Sequence, residues 1–222
     1  MKSGGLIHNS QKRRTKVMKS EVNNIVKVTG EVTEDFTFSH SVFGEGFYRT
    51  YLKVARTSEN YDVIPIIISE RLIDVSFNLA GGLLEVTGQL RSFNNHAGGG
   101  SKLVLSIFAL EAHLLDTDEP FRNENDVILN GFICKEPIYR KTPLGREIAD
   151  ILVAVNRSYG KSDYIPCITW GRNARYAADL AVGSNIVIQG RFQSRQYSKK
   201  ISETESELRT AYEVSVSKIE LL

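Results

Sequence analysis

The chain carries one unit twice. Gly30 and Gly131, Arg56 and Arg157, and Pro65 and Pro166 each stand 101 residues apart, and Gly88 and Gly190 follow at 102. Around these anchors Leu52-Lys53-Val54-Ala55-Arg56 matches Val153-Ala154-Val155-Asn156-Arg157, and Val63-Ile64-Pro65 matches Tyr164-Ile165-Pro166. A nearly constant offset over so long a span means two copies of one fold rather than a single larger one. Of 222 residues, each copy takes about 100, enough for its own core. The expected division is a basic, disordered arm at 1–22, a first domain at 23–113, a linker at 114–123 and a second domain at 124–222. Polar residues and weak periodicity mark the arm, and Asp116-Thr117-Asp118-Glu119-Pro120 marks the linker. Met18 opens Met-Lys-Ser as Met1 does, which leaves two candidate starts.

Both copies read as β-rich. In the second, Val127-Ile128-Leu129-Asn130-Gly131-Phe132-Ile133 is a strand with a glycine at a bulge or sharp bend. The stretch 147–156 has period two. In 164–170, Ile165, Cys167 and Thr169 face one way and Tyr164, Pro166, Ile168 and Trp170 the other. Ala174, Ala177, Ala178 and Ala181 then favour a helix, with Gly183 as its stop. Two strands follow, 184–197 and 209–220, with a flexible loop expected at 198–208. The first copy repeats the order: strands near 24–33, 47–56, 62–68, 82–93 and 102–112, and a short helix at 70–75. Five strands with a helix between the third and fourth is the order of the OB barrel. The expected fold is therefore all-β, two tandem five-stranded Greek-key barrels, each with one short helix.

Charge divides the copies. Residues 1–20 hold six Lys/Arg and no acid; 21–119 hold 7 basic and 14 acidic residues; 120–222 hold 15 and 12. A polyanion favours the arm and the second copy. Cys134 and Cys167, the only two cysteines, are too few for a disulfide framework and are expected as reduced core thiols. No stretch has the length and apolarity of a membrane span or the apolar core of a signal peptide. A cytoplasmic protein without membrane contact is expected.

The second copy also holds a set of motifs in order: Asn125-Asp126-Val127-Ile128-Leu129-Asn130-Gly131, Glu136-Pro137, Arg140, Thr142-Pro143-Leu144-Gly145, Val153-Ala154-Val155-Asn156-Arg157, Tyr164-Ile165-Pro166-Cys167-Ile168-Thr169-Trp170-Gly171 and Gly190-Arg191-Phe192-Gln193-Ser194-Arg195-Gln196-Tyr197. Over about 125–220 it resembles bacterial single-stranded DNA-binding proteins; the first copy matches only through the internal repeat. The resemblance implies base stacking at four positions, which fall on Tyr159, Tyr164, Trp170 and Tyr197. All four are aromatic, and stacking suits sequence-tolerant binding because every base has a π-face. Phosphate contacts are expected from Arg157, Arg195, Lys199 and Lys200, with Arg140 and Arg172 also candidates. In the first copy Ser58, Val63, Ser69 and Asn95 occupy the four ring positions. That copy is expected to be a degenerate, structural or assembly barrel, with Phe43, Tyr48, Tyr61 and Phe93 as possible shifted contacts.

The family commonly acts as four OB folds, so the resemblance implies a homodimer of this two-barrel chain. Protection of single-stranded DNA in replication, recombination or repair is the expected task. The chain ends Ser217-Lys218-Ile219-Glu220-Leu221-Leu222, without the acidic tail through which many members of the resembled family recruit replication and repair proteins; the expectation is that such partners, possible here, dock elsewhere or that the protein only coats DNA. Enzyme readings find no support: the four His are scattered, no CxxC, Walker or nucleophile-elbow motif occurs, and the Gly-rich 96–102 loop lacks P-loop spacing. No cofactor or metal is expected. The second reading is an assembly or adaptor protein with weak or no DNA binding, and an RNA-binding variant is a third.

Overall fold

A computed structural model describes residues 23–95, 102–116, 123–202 and 205–222. The arm at 1–22, the Gly-rich connection at 96–101 and the centre of the linker at 117–122 lie outside the described residues. In the first copy the strands are β1 (Asn24–Val32), β2 (Thr37–Val42), β3 (Glu45–Ala55), β4 (Tyr61–Ser69), β5 (Leu83–Asn95) and β6 (Lys102–Leu115). In the second they are β7 (Asn125–Ile133), β8 (Ile138–Lys141), β9 (Glu147–Asn156), β10 (Ser162–Trp170), β11 (Asn185–Lys200) and β12 (Ser206–Leu221), with helix α1 (Arg172–Ala178) between β10 and β11.

Each copy closes on itself. In the first, β1 pairs with β3 and β5, β3 with β4, β5 with β6, and β4 runs parallel to β6. In the second, β7, β9, β10, β12 and β11 close an equivalent ring, with β10 parallel to β12. These are two tandem five-stranded OB barrels. Strands β2 and β8 lie outside the rings, added at the two edges by hairpins with β3 and β9. Apolar residues at alternate strand positions fill the interiors: Val26, Val28, Leu52, Val54, Ile64 and Ile66 in the first copy, and Val127, Leu129, Val153, Val155, Ile165 and Phe192 in the second. Each such side chain stabilises its barrel by roughly 1.5–3 kcal/mol.

The repeat glycines mark where the backbones come closest. A Cβ on Gly131 would stand 2.5 Å from the Ala154 carbonyl oxygen, and one on Gly30 2.7 Å from that of Lys53. Directly after these glycines β7 and β1 take up pairing with β9 and β3, which closes the ring, and no side chain fits between the chains.

Two expectations are corrected. The helix at 70–75 does not form, and α1 is the one α-helix among the described residues. Local hydrogen bonds hold that segment in turns instead. Ser69 Oγ accepts from the Arg71 N–H, Glu70 accepts from the Gly46 N–H, and Asp74 accepts from the Ser76 N–H and hydroxyl; such bonds compete with a helix. β-branched Ile73 stands where the second copy has Ala174. The loop expected at 198–208 is mostly strand: Ser198 pairs with Leu208, Lys199 with Glu207 and Lys200 with Ser206. The backbone ladder thus carries the hairpin well beyond the buried Phe192 at its root.

The two barrels join about a pseudo-twofold axis. Strands β1 and β7 run antiparallel with Val26 opposite Val127, its own counterpart in the repeat. The pairing fuses both barrels into one twelve-stranded sheet. Asn24 clamps the Leu90 backbone with bonds of 2.8 and 2.9 Å, and Asn125 clamps the Phe192 backbone with bonds of 2.7 and 2.8 Å.

Candidate nucleic-acid interface

Strand β10 gives the site its direction. Ile165, Cys167 and Thr169 point inward and are buried, while Tyr164 and Trp170, an even number of residues apart, point out at 45% and 38% exposure. Ile168 shares the outward parity of the two rings yet is buried. The Trp170 indole N–H donates to Ser215 Oγ at 3.2 Å, which fixes the plane of the ring without covering it. Tyr159 sits in the single 3-10 turn Ser158–Gly160 between β9 and β10, with φ of 63° and 98% of its surface exposed. A left-handed backbone at a non-glycine residue is strained; here it throws the ring clear of the barrel. Tyr164 and Trp170 thus share the outward parity of β10, and Tyr159 lies exposed in the turn that leads into that strand.

Tyr197 stands apart from them on the β11–β12 hairpin, half-buried, with the Arg195 guanidinium carbon 5.8 Å from its ring centroid. The root of that hairpin is docked on the first barrel. Ser194 Oγ accepts from the Val63 N–H at 3.1 Å, the Ser194 N–H donates to Asp62 Oδ1 at 2.8 Å, and Arg56 donates to the Ser194 carbonyl at 2.9 Å. Across the pseudo-axis, Ser92 Oγ accepts from the Tyr164 N–H at 2.7 Å, and the Ser92 N–H donates to Asp163 Oδ1 at 2.8 Å.

Those two aspartates are fully buried, and each holds an arginine from either barrel. Asp62 pairs with Arg56 and with Arg191 (2.8 Å), and Asp163 with Arg157 (3.3 Å) and Arg91 (2.9 Å). Sequence reasoning did not find this clasp. Its signal was present in the repeat: Asp62 and Asp163 stand 101 apart, and Ser92 and Ser194 stand 102 apart. Burial inverts the usual expectation for a polar residue, and periodicity alone does not report it.

The cations expected on phosphate divide accordingly. Arg157 is engaged by Asp163, Arg195 by Glu213 (3.3 Å) and Arg140 by Asp150 (2.8 Å). Lys199, Lys200 and Arg172 are exposed and form no ion pair among the described residues. Tyr139, exposed on β8, donates its hydroxyl to Glu147 at 2.7 Å, and that bond raises its pKa. Tyr176, exposed on α1 six residues beyond Trp170, is another ring that sequence reasoning passed over. Both cysteines are free, and burial pushes the Cys167 thiol pKa well above its ordinary value. Among the described residues no cluster of His, Cys, Asp and Glu could hold a metal ion, and no helix is long and apolar enough to cross a membrane.

Two closed five-stranded barrels in one chain define a tandem OB-fold protein. The Single-strand binding protein family matches residues 124–222. The chain is 39% identical over 80 residues to single-stranded DNA-binding protein A of Bacillus subtilis, an alignment covering 33% of this chain and 46% of that protein. It is 38% identical over 80 residues to single-stranded DNA-binding protein 1 of Staphylococcus aureus, covering 33% and 48%. The chain thus spans about half the length of these relatives. The crystal structure of the Thermus aquaticus single-stranded DNA-binding protein superposes with a TM-score of 0.71 at 19% identity, over 90% of this chain and 92% of that one; it shares the two-barrel fold. The family match falls on the second barrel, and the first barrel shares its fold through the repeat.

Proposed function

We propose that this protein binds single-stranded DNA with little sequence preference, by stacking bases on Tyr159, Tyr164, Trp170 and Tyr197 and by holding phosphates with Lys199, Lys200 and Arg172. The observation that carries the reading is the outward pair Tyr164 and Trp170 on β10, exposed while their neighbours are buried. Rings held on a rigid strand lose little entropy when a base lies on them, and each base adds roughly 1–3 kcal/mol. Arg157, Arg195 and Arg140 have carboxylate partners; they shape the surface more than they neutralise phosphate. Two copies of the chain would give four barrels. The coated DNA is that exposed in replication, recombination or repair, in the cytoplasm at the nucleoid.

Trp170, the single tryptophan, is the built-in probe. Its fluorescence is expected to change when oligo-dT is added, with binding that weakens steeply with salt and exceeds binding to duplex DNA or to oligo-rU. A flat titration would reject the reading. Sedimentation equilibrium at twice the chain mass of 24.9 kDa is the expected result for the dimer.

A further inference from the structure

We infer that the first barrel carries a single-stranded DNA subsite of its own, built from Tyr61, Lys53, Arg49 and Phe93 rather than from the positions the second barrel uses. The inference rests on the proposed function and deepens it.

The first support is register. Val63 stands where the second barrel has Tyr164, and Asn95 where it has Tyr197. Tyr61 lies two residues before Val63 on β4, and Phe93 two residues before Asn95 on β5. A shift of two keeps the same face of a strand and moves the ring only about 7 Å along it. Both rings are open to solvent, Tyr61 at 55% and Phe93 at 53%. The apparent loss of rings in this copy is thus a displacement along the same faces.

The second support is charge. On β3, Lys53 lies opposite Val63 and Arg49 opposite Ile67, so both cations share the outward face that carries Tyr61. The Lys53 ammonium lies 5.1 Å from the Tyr61 ring centroid. On the second barrel the partners of Tyr164 and Ile168 are Ala154 and Asp150. The acidic copy therefore presents the more cationic strip at this place. Glu31 holds Lys53 only loosely, at 3.6 Å with both side chains nearly half exposed, so a phosphate can take its place.

The third support is the junction. The β11–β12 hairpin, bearing Arg195, Tyr197, Lys199 and Lys200, is docked through Ser194 on the strand that carries Tyr61. Reciprocally, Ser92, the neighbour of Phe93, is docked on Tyr164. Each barrel's hairpin is rooted on the other barrel's ring-bearing strand, so one DNA strand can pass from the second barrel to the first along rings and cations.

The test uses the full chain, with Y61A/F93A beside Y61F/F93Y and W170A/Y197A. An oligo-dT of about ten nucleotides occupies one barrel, and one of about forty spans both. Y61A/F93A is expected to bind the long oligonucleotide at least tenfold more weakly than wild type, while the Trp170 response to the short one stays unchanged. Y61F/F93Y, which keeps both rings, is expected to bind both like wild type. Long-oligonucleotide affinity of Y61A/F93A within twofold of wild type would overturn the subsite. An equal loss of the Trp170-reported short binding would overturn it too, since the change would then be global. If wild type binds neither oligonucleotide, it is the underlying function that fails, and that result differs from both.

Discussion

The two barrels agree where their strands close the ring and disagree wherever a ring meets solvent. Gly30 and Gly131 permit the same close crossing, and Asp62 and Asp163 anchor the same clasp from opposite sides of the axis. At the Trp170 position the first barrel has Ser69, whose hydroxyl is bound to Glu45 and to the Arg71 N–H. By strand register Phe108 stands where Ser215 supports Trp170, and it packs on Phe47 with ring centroids 5.5 Å apart. The aromatic area has moved from an outward indole to a pair that stabilises the barrel. Fold and ligand surface thus rest on separate residues, so one barrel can trade its rings without losing its closure.

The strongest way to break that picture is through the clasp. Replacing Asp163 by Ala leaves Arg91 and Arg157 without their buried partner, and Asp62→Ala does the same to Arg56 and Arg191. Each is expected to cost about 3–5 kcal/mol of stability, read from urea denaturation, and the two should agree within the error of the fits. A large loss at one and none at the other would mean that the junction is not symmetric. Next come the rings. Tyr164→Ala is expected to lower single-stranded DNA affinity by roughly 1–3 kcal/mol, measured by anisotropy of a labelled oligo-dT, with little change in melting because the ring is exposed. The mirror change Val63→Ala should leave affinity where it is.

Much of this was legible in the sequence, because a repeat shows itself through residues that cannot vary without a clash. The offset of glycines and the period-two stretches gave two OB barrels, and Tyr164 and Trp170 fall on the outward face that alternation assigned them. Three things were hidden. The turn at 70–75 escaped notice because it depends on Gly46, a residue of another strand. The hairpin to Lys200 looked like loop because its strands are polar on both faces. The pairing of Arg157, expected on phosphate, with buried Asp163 was hidden too, although its counterpart Arg56 pairs with Asp62 in the same way in the other barrel. A salt titration separates these roles. Lys199→Gln with Lys200→Gln should reduce the slope of log K against log salt by about 0.7 per lysine. Arg157→Gln should leave the slope unchanged while lowering the melting temperature.

The smallest effect lies where the hairpin of the second barrel meets the first. Burial pushes the Tyr212 phenol up to about 12, and the nearby Tyr51 adds to the shift. By register, Leu105 and Leu152 hold the mirror positions, so only one side of the junction can titrate there. In the unfolded chain the phenol loses its proton near pH 10, while in the folded chain it keeps it to about pH 12. The unfolded state is therefore favoured progressively as pH rises between those values, and nothing is lost below them. Tyr212→Phe should flatten that part of the stability curve relative to wild type while leaving it unchanged at neutral pH. A curve that falls just as steeply without the hydroxyl would place the titrating group elsewhere and make the two sides of the junction electrostatically alike.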